Sequence, residues 1–233
     1  MAIRGNSSNI IVGAAQVFVA DDNLEYYAAS SVTGGGAAVA VAGHYFSQSV
    51  TTPSSYPAFV PGTKYADTLQ NSGTYRNVGY TMNGLELTIT PDFGEVSVDQ
   101  QLDVAKLFKQ GMSVQLKTAF AESTLANLVV AIAASSSNYD DSDPEELVMD
   151  IMAGELGECP LERSIIAVGP GTGDCAATGA EAKERIYFAY RALSIEAVTL
   201  TAKRDAPTQY DVTFRLLPTA NGAYGKLVDR TVG

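Results

Sequence analysis

The chain has 233 residues, 46% of them hydrophobic and only 18% charged, with a formal net charge of -11. That is enough apolar material for one sizeable core, while a charged fraction below the roughly 25% usual for soluble proteins leaves a surface that tolerates burial against other subunits. The acidic balance excludes a protein that grips nucleic acid, because phosphate binding needs Lys and Arg to release counterions; it does not exclude a conduit through which DNA slides.

The opening "MAIRGNSSNIIVGAAQ" lacks an apolar core of signal-peptide length, and no run is long and apolar enough to span a membrane, so neither a leader nor a membrane span is expected. "NIIVGAAQVFVA" (9–20) reads as a first strand, with Gly13 allowing a bend. Residues 28–76 carry only Lys64, Asp67 and Arg76 as charges, and contain "GGG" and "TTPSSYPAFVPGTKY". Such Pro and Gly spacing argues against a long helix or a central strand. A long structureless stretch is usually functional, so Tyr45, Phe46, Tyr56, Phe59 and Tyr65 are expected to dock on a neighbour; packing on their own domain is the plainer reading.

"GLELTITP" (84–91) alternates, with Leu85, Leu87 and Ile89 on one face and Glu86, Thr88 and Thr90 on the other, as a half-buried strand does. A turn is expected at "PDFG". "DQQLDVAKLFKQG" (99–111) fits a short helix between Asp99 as N-cap and Gly111. "MSVQLKTAF" (112–120) alternates again, with Met112, Val114, Leu116 and Phe120 on one face. A scaffold helix is expected over about 123–134, capped by Ser123 or Thr124. It would pack Leu125, Leu128, Val129 and Ile132 on the sheet.

Residues 135–162 form an acidic insertion without a basic residue, with a short helix expected at 144–152 from Pro144. "RSIIAVGP" (163–170), "RIYFAYRA" (185–192), "SIEAVTLTAK" (194–203) and "QYDVTFRLLP" (209–218) read as strands. Short strands, turn signals and one main flanking helix predict a mainly β single domain over 1–233, a sandwich or barrel with long loops.

Tests for chemistry come out negative. His44 is the single histidine and sits in a low-charge stretch, so neither a catalytic triad nor a His-rich metal site is expected. Cys159 and Cys175 lack CxxC spacing; reduced thiols are expected, with a structural disulfide between them as the other reading. The run from Asp141 has Glu146 and Met152 where a calcium loop needs Gly and Glu. Gly169, Gly171 and Gly173 fit neither phosphate-binding loop, and Asp174 would repel a phosphate. No enzyme and no cofactor is expected.

The run from Tyr75 to Ala133 resembles the major tail tube proteins of long-tailed bacteriophages. The likeness rests on Val78, Gly79, Tyr80, Thr81 and Gly84, then Val98, Asp99 and Gln100, then Glu122, Thr124, Leu125, Asn127 and Leu128. The resemblance implies a β-sandwich or barrel subunit whose hexameric rings stack into a hollow tube. DNA and a tape-measure protein would occupy the lumen, with tail-tip or baseplate and terminator proteins at the ends. Location in the virion tail, after assembly in the host cytoplasm, is implied likewise. Within that picture the face of Glu86, Thr88 and Thr90 is expected to line the channel, and the low-charge stretch to bridge rings. A ring component of a contractile system, or a β-sandwich binding module for a sugar or a cell surface, are the other readings.

Overall fold

The computed structural model describes residue 11 and residues 13–20, 57–97, 103–104, 106–134, 138–143, 145–152, 161–172, 182–201, 204, 207–219 and 221–232. The elements in chain order are β1 (Gln16–Ala20), α1 (Tyr65–Asn71), β2 (Tyr75–Asn77), β3 (Thr81–Val96), β4 (Lys106–Phe120) and α2 (Leu125–Ala131). They continue with β5 (Tyr139–Asp143), β6 (Glu146–Met149), β7 (Arg163–Pro170), β8 (Lys183–Ser194), β9 (Tyr210–Leu216) and β10 (Gly225–Thr231). The protein is mainly β, and its sheets are antiparallel.

The large sheet runs β2-β1-β7-β8-β9-β4-β3. Strand β8 forks. Its residues 183–189 pair with β10, whereas residues 192–194 pair with β9. Beyond the fork the sheet folds back on itself. Val17 and Val19 of β1 share a core with Val114, Leu116 and Phe120 of β4, although three strands stand between β1 and β4 in the sheet. Leu128, Val130 and Ala131 of α2 complete that core.

The other face of β1, β7 and β8 is also covered. Phe18, Ile166, Ile186 and Phe188 pack there against Tyr65 and Leu69 of α1. Successive strand residues point to opposite faces, so "VFVA" must be apolar throughout, and it is fully buried. Each such side chain contributes about 1.5–3 kcal/mol when taken from water.

Several expectations are corrected. A second helix, α1, lies within 28–76 and β2 begins there, because Tyr65 and Leu69 cover the otherwise bare face of β7 and β8. "PDFG" is strand rather than turn, and Lys106–Gly111 is strand rather than helix: the two segments pair along their length. Tyr139–Asp143 and Glu146–Met149 form the β5–β6 hairpin, where a helix was expected over 144–152. Residues 195–201 are not a strand; they lie along β9, with Ile195 N–H donating to Thr213 O and Glu196 accepting from the Thr213 hydroxyl. Strand β10 carries no signal that the sequence reading recognised. The scaffold helix is shorter than expected, and its outer member Ile132 is 38% exposed.

Candidate functional site

Strand β3 ends the sheet, so no strand lies along its outer edge among the described residues. Strand β4 is flanked by β9 only from Val114 to Phe120. Its first half, Lys106–Ser113, pairs with β3 alone among the described residues. The chain therefore extends a two-stranded ribbon beyond the folded body, by roughly 20 Å at about 3.4 Å per residue. Such a ribbon is marginal in water by itself, and its open edges template pairing with another chain. Pro91 is tolerated in β3 because an edge strand has a side that needs no N–H donor.

The ribbon is apolar as well as open. Phe93 and Leu107 are 55% and 60% exposed, and Val96 and Phe108 are exposed too. Residues paired across strands share a face. The pairs Phe93–Lys109 and Glu95–Leu107 thus look one way, and Gly94–Phe108 and Val96–Lys106 the other. Phe108 and Gln110 lie over Gly94: a Cβ there would come within 2.6 Å of the Phe108 ring and 2.5 Å of the Gln110 amide. The sequence reading missed this half of the ribbon by taking it for a helix.

Glu86, Thr88 and Thr90 are exposed on one face of β3; on the other, Leu85 and Leu87 are half-buried, but Ile89, expected beside them, is 53% exposed because the ribbon there has left the body. Their partners are Lys117, Gln115 and Ser113, and Arg215 of β9 stands beside Gln115. This face sets the two cations against Glu86, Asp211 of β9 and Glu196, which accepts from the Thr213 hydroxyl, so its charge is near balance and most of the acidic excess of the chain resides elsewhere. A bulge in β3, between Met82 and Glu86, sets the register. Asn83 and Gly84 there adopt φ of 63° and 71°. The Thr118 hydroxyl donates to Gly84 O at 3.0 Å.

Of the aromatic docking candidates, Tyr45, Phe46 and Tyr56 lie outside the described residues. Phe59 is exposed, but Tyr65 is fully buried, which corrects its expected docking role. Its ring packs on Phe59 and Phe188, and its hydroxyl donates to Pro57 O at 3.0 Å. Burial drives the Tyr65 phenol well above the ordinary tyrosine range, an effect that nearby Arg230 partly offsets. The Tyr65 N–H donates to both Glu184 oxygens, and the Arg230 guanidinium, 3.3 Å from Glu184, donates to the carbonyls of Thr63 and Val60. This pair pins the segment before α1 to β8 and β10.

The two described portions of the tail-tube resemblance meet in space. The chain turns from β2 into β3 at Val78–Tyr80, where Val78 N–H donates to Val17 O and Ala121 N–H to Tyr80 O. Gly79, at φ 84°, brings the backbone against the Glu122 carboxylate, which accepts from Tyr80 N–H at 2.9 Å. Asn127 is 1% exposed and ties the corner together. Its amide donates to Val78 O and Glu122 O, each at 2.9 Å, and its carbonyl accepts from Arg76 at 2.7 Å. Thr124, not Ser123, caps α2 by accepting from Asn127 N–H. Ser123 instead hydrogen-bonds the Tyr210 hydroxyl. These residues thus act structurally, turning the chain from one sheet layer into the other. Val98, Asp99 and Gln100 lie outside the described residues.

Cys159, Cys175, His44, Gly173 and Asp174 also fall outside. Among the described residues, no cluster of His, Cys, Asp and Glu could hold a metal ion, and no helix is long and apolar enough to cross a membrane. No family model and no curated protein matches the chain.

Proposed function

We propose that this chain is a structural subunit that assembles with copies of itself into stacked, hexameric rings. These form a hollow tube of the kind built by the tails of long-tailed bacteriophages. One observation carries the reading: a folded body with a complete core extends an apolar ribbon whose edges have no strand beside them among the described residues. A second copy supplies what the ribbon lacks, a strand partner and a cover for Phe93, Leu107 and Phe108. Head-to-tail contacts of this sort close into rings at the right rotation and otherwise extend into filaments.

On this reading the protein belongs to the virion, and its partners are itself, a tape-measure protein and the tail-tip, baseplate and terminator proteins. DNA passes through without specific binding. The lumen face is that of Glu86, Thr88 and Thr90, whose near-balanced charge gives phosphates little to hold. Negative-stain electron microscopy and light scattering across a concentration series test the proposal. Rings or hollow tubes are expected. A particle that remains monomeric at every concentration, and also after addition of a purified tail-tip complex, would overturn it.

A further inference from the structure

The outer half of β4 and the β5–β6 hairpin are opposite in charge and lie toward opposite ends of β4, while the acids of the ribbon, Asp92 and Glu95, stand on β3, the strand away from the open edge of β4. The free half of β4, "KLFKQGMS", carries Lys106 and Lys109 and no acid, with Leu107 and Phe108 between them. The hairpin carries Asp140, Asp143, Glu145 and Glu146, followed by Asp150, and no cation. All of these charged side chains are exposed. The hairpin also exposes apolar side chains, Leu147 and Val148, with Ile151 and Met152 just beyond. It is a two-stranded sheet, so β5 has a partner on one side only among the described residues.

The two elements are far apart within one chain. Hairpin strands β5 and β6 lie against α2, which follows the Phe120 end of β4. The basic half of β4 begins at Lys106, some 14 residues away, or about 45 Å along an extended strand. A chain cannot fold one onto the other without breaking its own sheet. Between copies the geometry is natural: one end of a subunit meets the opposite end of the next.

We propose that the free edge of β4 in one copy pairs with the edge of β5 in the next, as a heterologous added strand. Lys106 and Lys109 then face Asp140 and Asp143 of β5 across the new strand pair. Backbone bonds supply the attachment and side chains select the edge. Opposite charges facing each other across strands favour this pairing, and like charges disfavour β5 against β5. This rests on the self-assembly proposed above and names the surfaces that meet.

Charge reversal tests it. Lys106→Glu with Lys109→Glu makes both edges acidic; Asp140→Lys with Asp143→Lys makes both basic. Each double variant should self-associate at least about tenfold more weakly in sedimentation velocity, since two favourable cross-strand pairs become repulsive. All four changes in one chain restore opposite signs, and association should recover. Circular dichroism checks that each variant is folded. If the double variants assemble like the parent chain, the β4–β5 pairing is wrong while self-assembly stands. If they weaken but the fourfold variant does not recover, the two edges act separately and the pairing is again overturned. If the parent chain never associates, both proposals fall together.

Discussion

Asn127→Ala should destabilise the fold by about 4 kcal/mol. The side chain makes two neutral hydrogen bonds, to Val78 O and Glu122 O, worth about 1 kcal/mol each, and one charge-assisted bond from Arg76, worth about 2 kcal/mol. Asn127 is buried, so water has little access to replace those partners, and the two carbonyls lose their donor inside the protein. The loss should lower the urea midpoint without changing the slope, and should lower Tm by about 8–16 °C for a domain of this size. A double-mutant cycle with Arg76→Ala isolates the charged contact, with an expected coupling of about 1–2 kcal/mol. A total loss below about 1 kcal/mol would refute the claim that this amide holds the corner between the sheet layers. A coupling near zero would refute the Arg76 contribution alone.

Gly79→Ala should cost about 2 kcal/mol or more: the residue sits at φ 84° and its Cβ would fall 2.1 Å from the Glu122 side chain, expelling the acceptor of Tyr80 N–H. Chemical denaturation measures it, and a neutral result would show that the corner relaxes freely. Tyr65→Phe should cost about 1 kcal/mol for the lost bond to Pro57 O and should also flatten the alkaline limb of stability. The folded phenol titrates above the unfolded one, near 10. Its contribution is therefore present below about pH 10 and lost as pH rises towards the folded value. Equal pH slopes in the parent and variant chains between about pH 9 and 11 would contradict this. Phe93→Ser with Leu107→Ser should leave monomer stability within about 0.5 kcal/mol, because both side chains are exposed. The same variant should weaken association about tenfold or more, equivalent to about 1.4 kcal/mol; a stability loss without an association loss would place these residues in the monomer core.

Residues whose burial is set within one layer were legible. "VFVA" and "SIIAV" are apolar on both faces because both faces are covered, and "SVQLKTAF" alternates because one face is. The misreadings lie where neither condition holds. Lys106–Gln110 is exposed on both faces, so burial imposes no two-residue period, and Asp99 and Gly111 mimic helix ends. The β5–β6 hairpin is exposed likewise, and Pro144, read as the start of a helix, stands in the sequence between its two strands. "SIEAVTLTAK" alternates like a strand, yet among the described residues only its start is tied to β9, by Ile195 N–H to Thr213 O and by Glu196 to the Thr213 hydroxyl, and no ladder follows. Tyr65 looked like a docking aromatic because nothing local says that β7 and β8 need a cover on their second face. The corner is the converse case. Its residues stood out in the sequence, but their contacts join segments far apart in the chain, and only the folded chain explains them.

The division between body and ribbon bears on how assembly would be controlled. The two cores draw on β1, β2, β7, β8, β9, the inner halves of β3 and β4, and the two helices, with β6 and β10 at their margins, while residues 92–96 and 106–111 of the ribbon belong to neither. Folding therefore does not wait for a partner, and assembly does not have to stabilise an incomplete core. On the proposed reading, charge would hold monomers apart: each copy carries a formal -11, a repulsion felt over about 10 Å at 0.1 M salt. Cross-strand contacts about 5 Å apart lie inside that distance and keep their attraction. Free monomers would then repel at long range and attract only when a ribbon meets a correctly placed acidic edge. A ring already in place would present several such edges in register, so addition to it would be favoured over a first encounter in solution. On the proposed reading, an initiating complex would set where the tube begins, and the monomer's acidity would keep tubes from starting elsewhere.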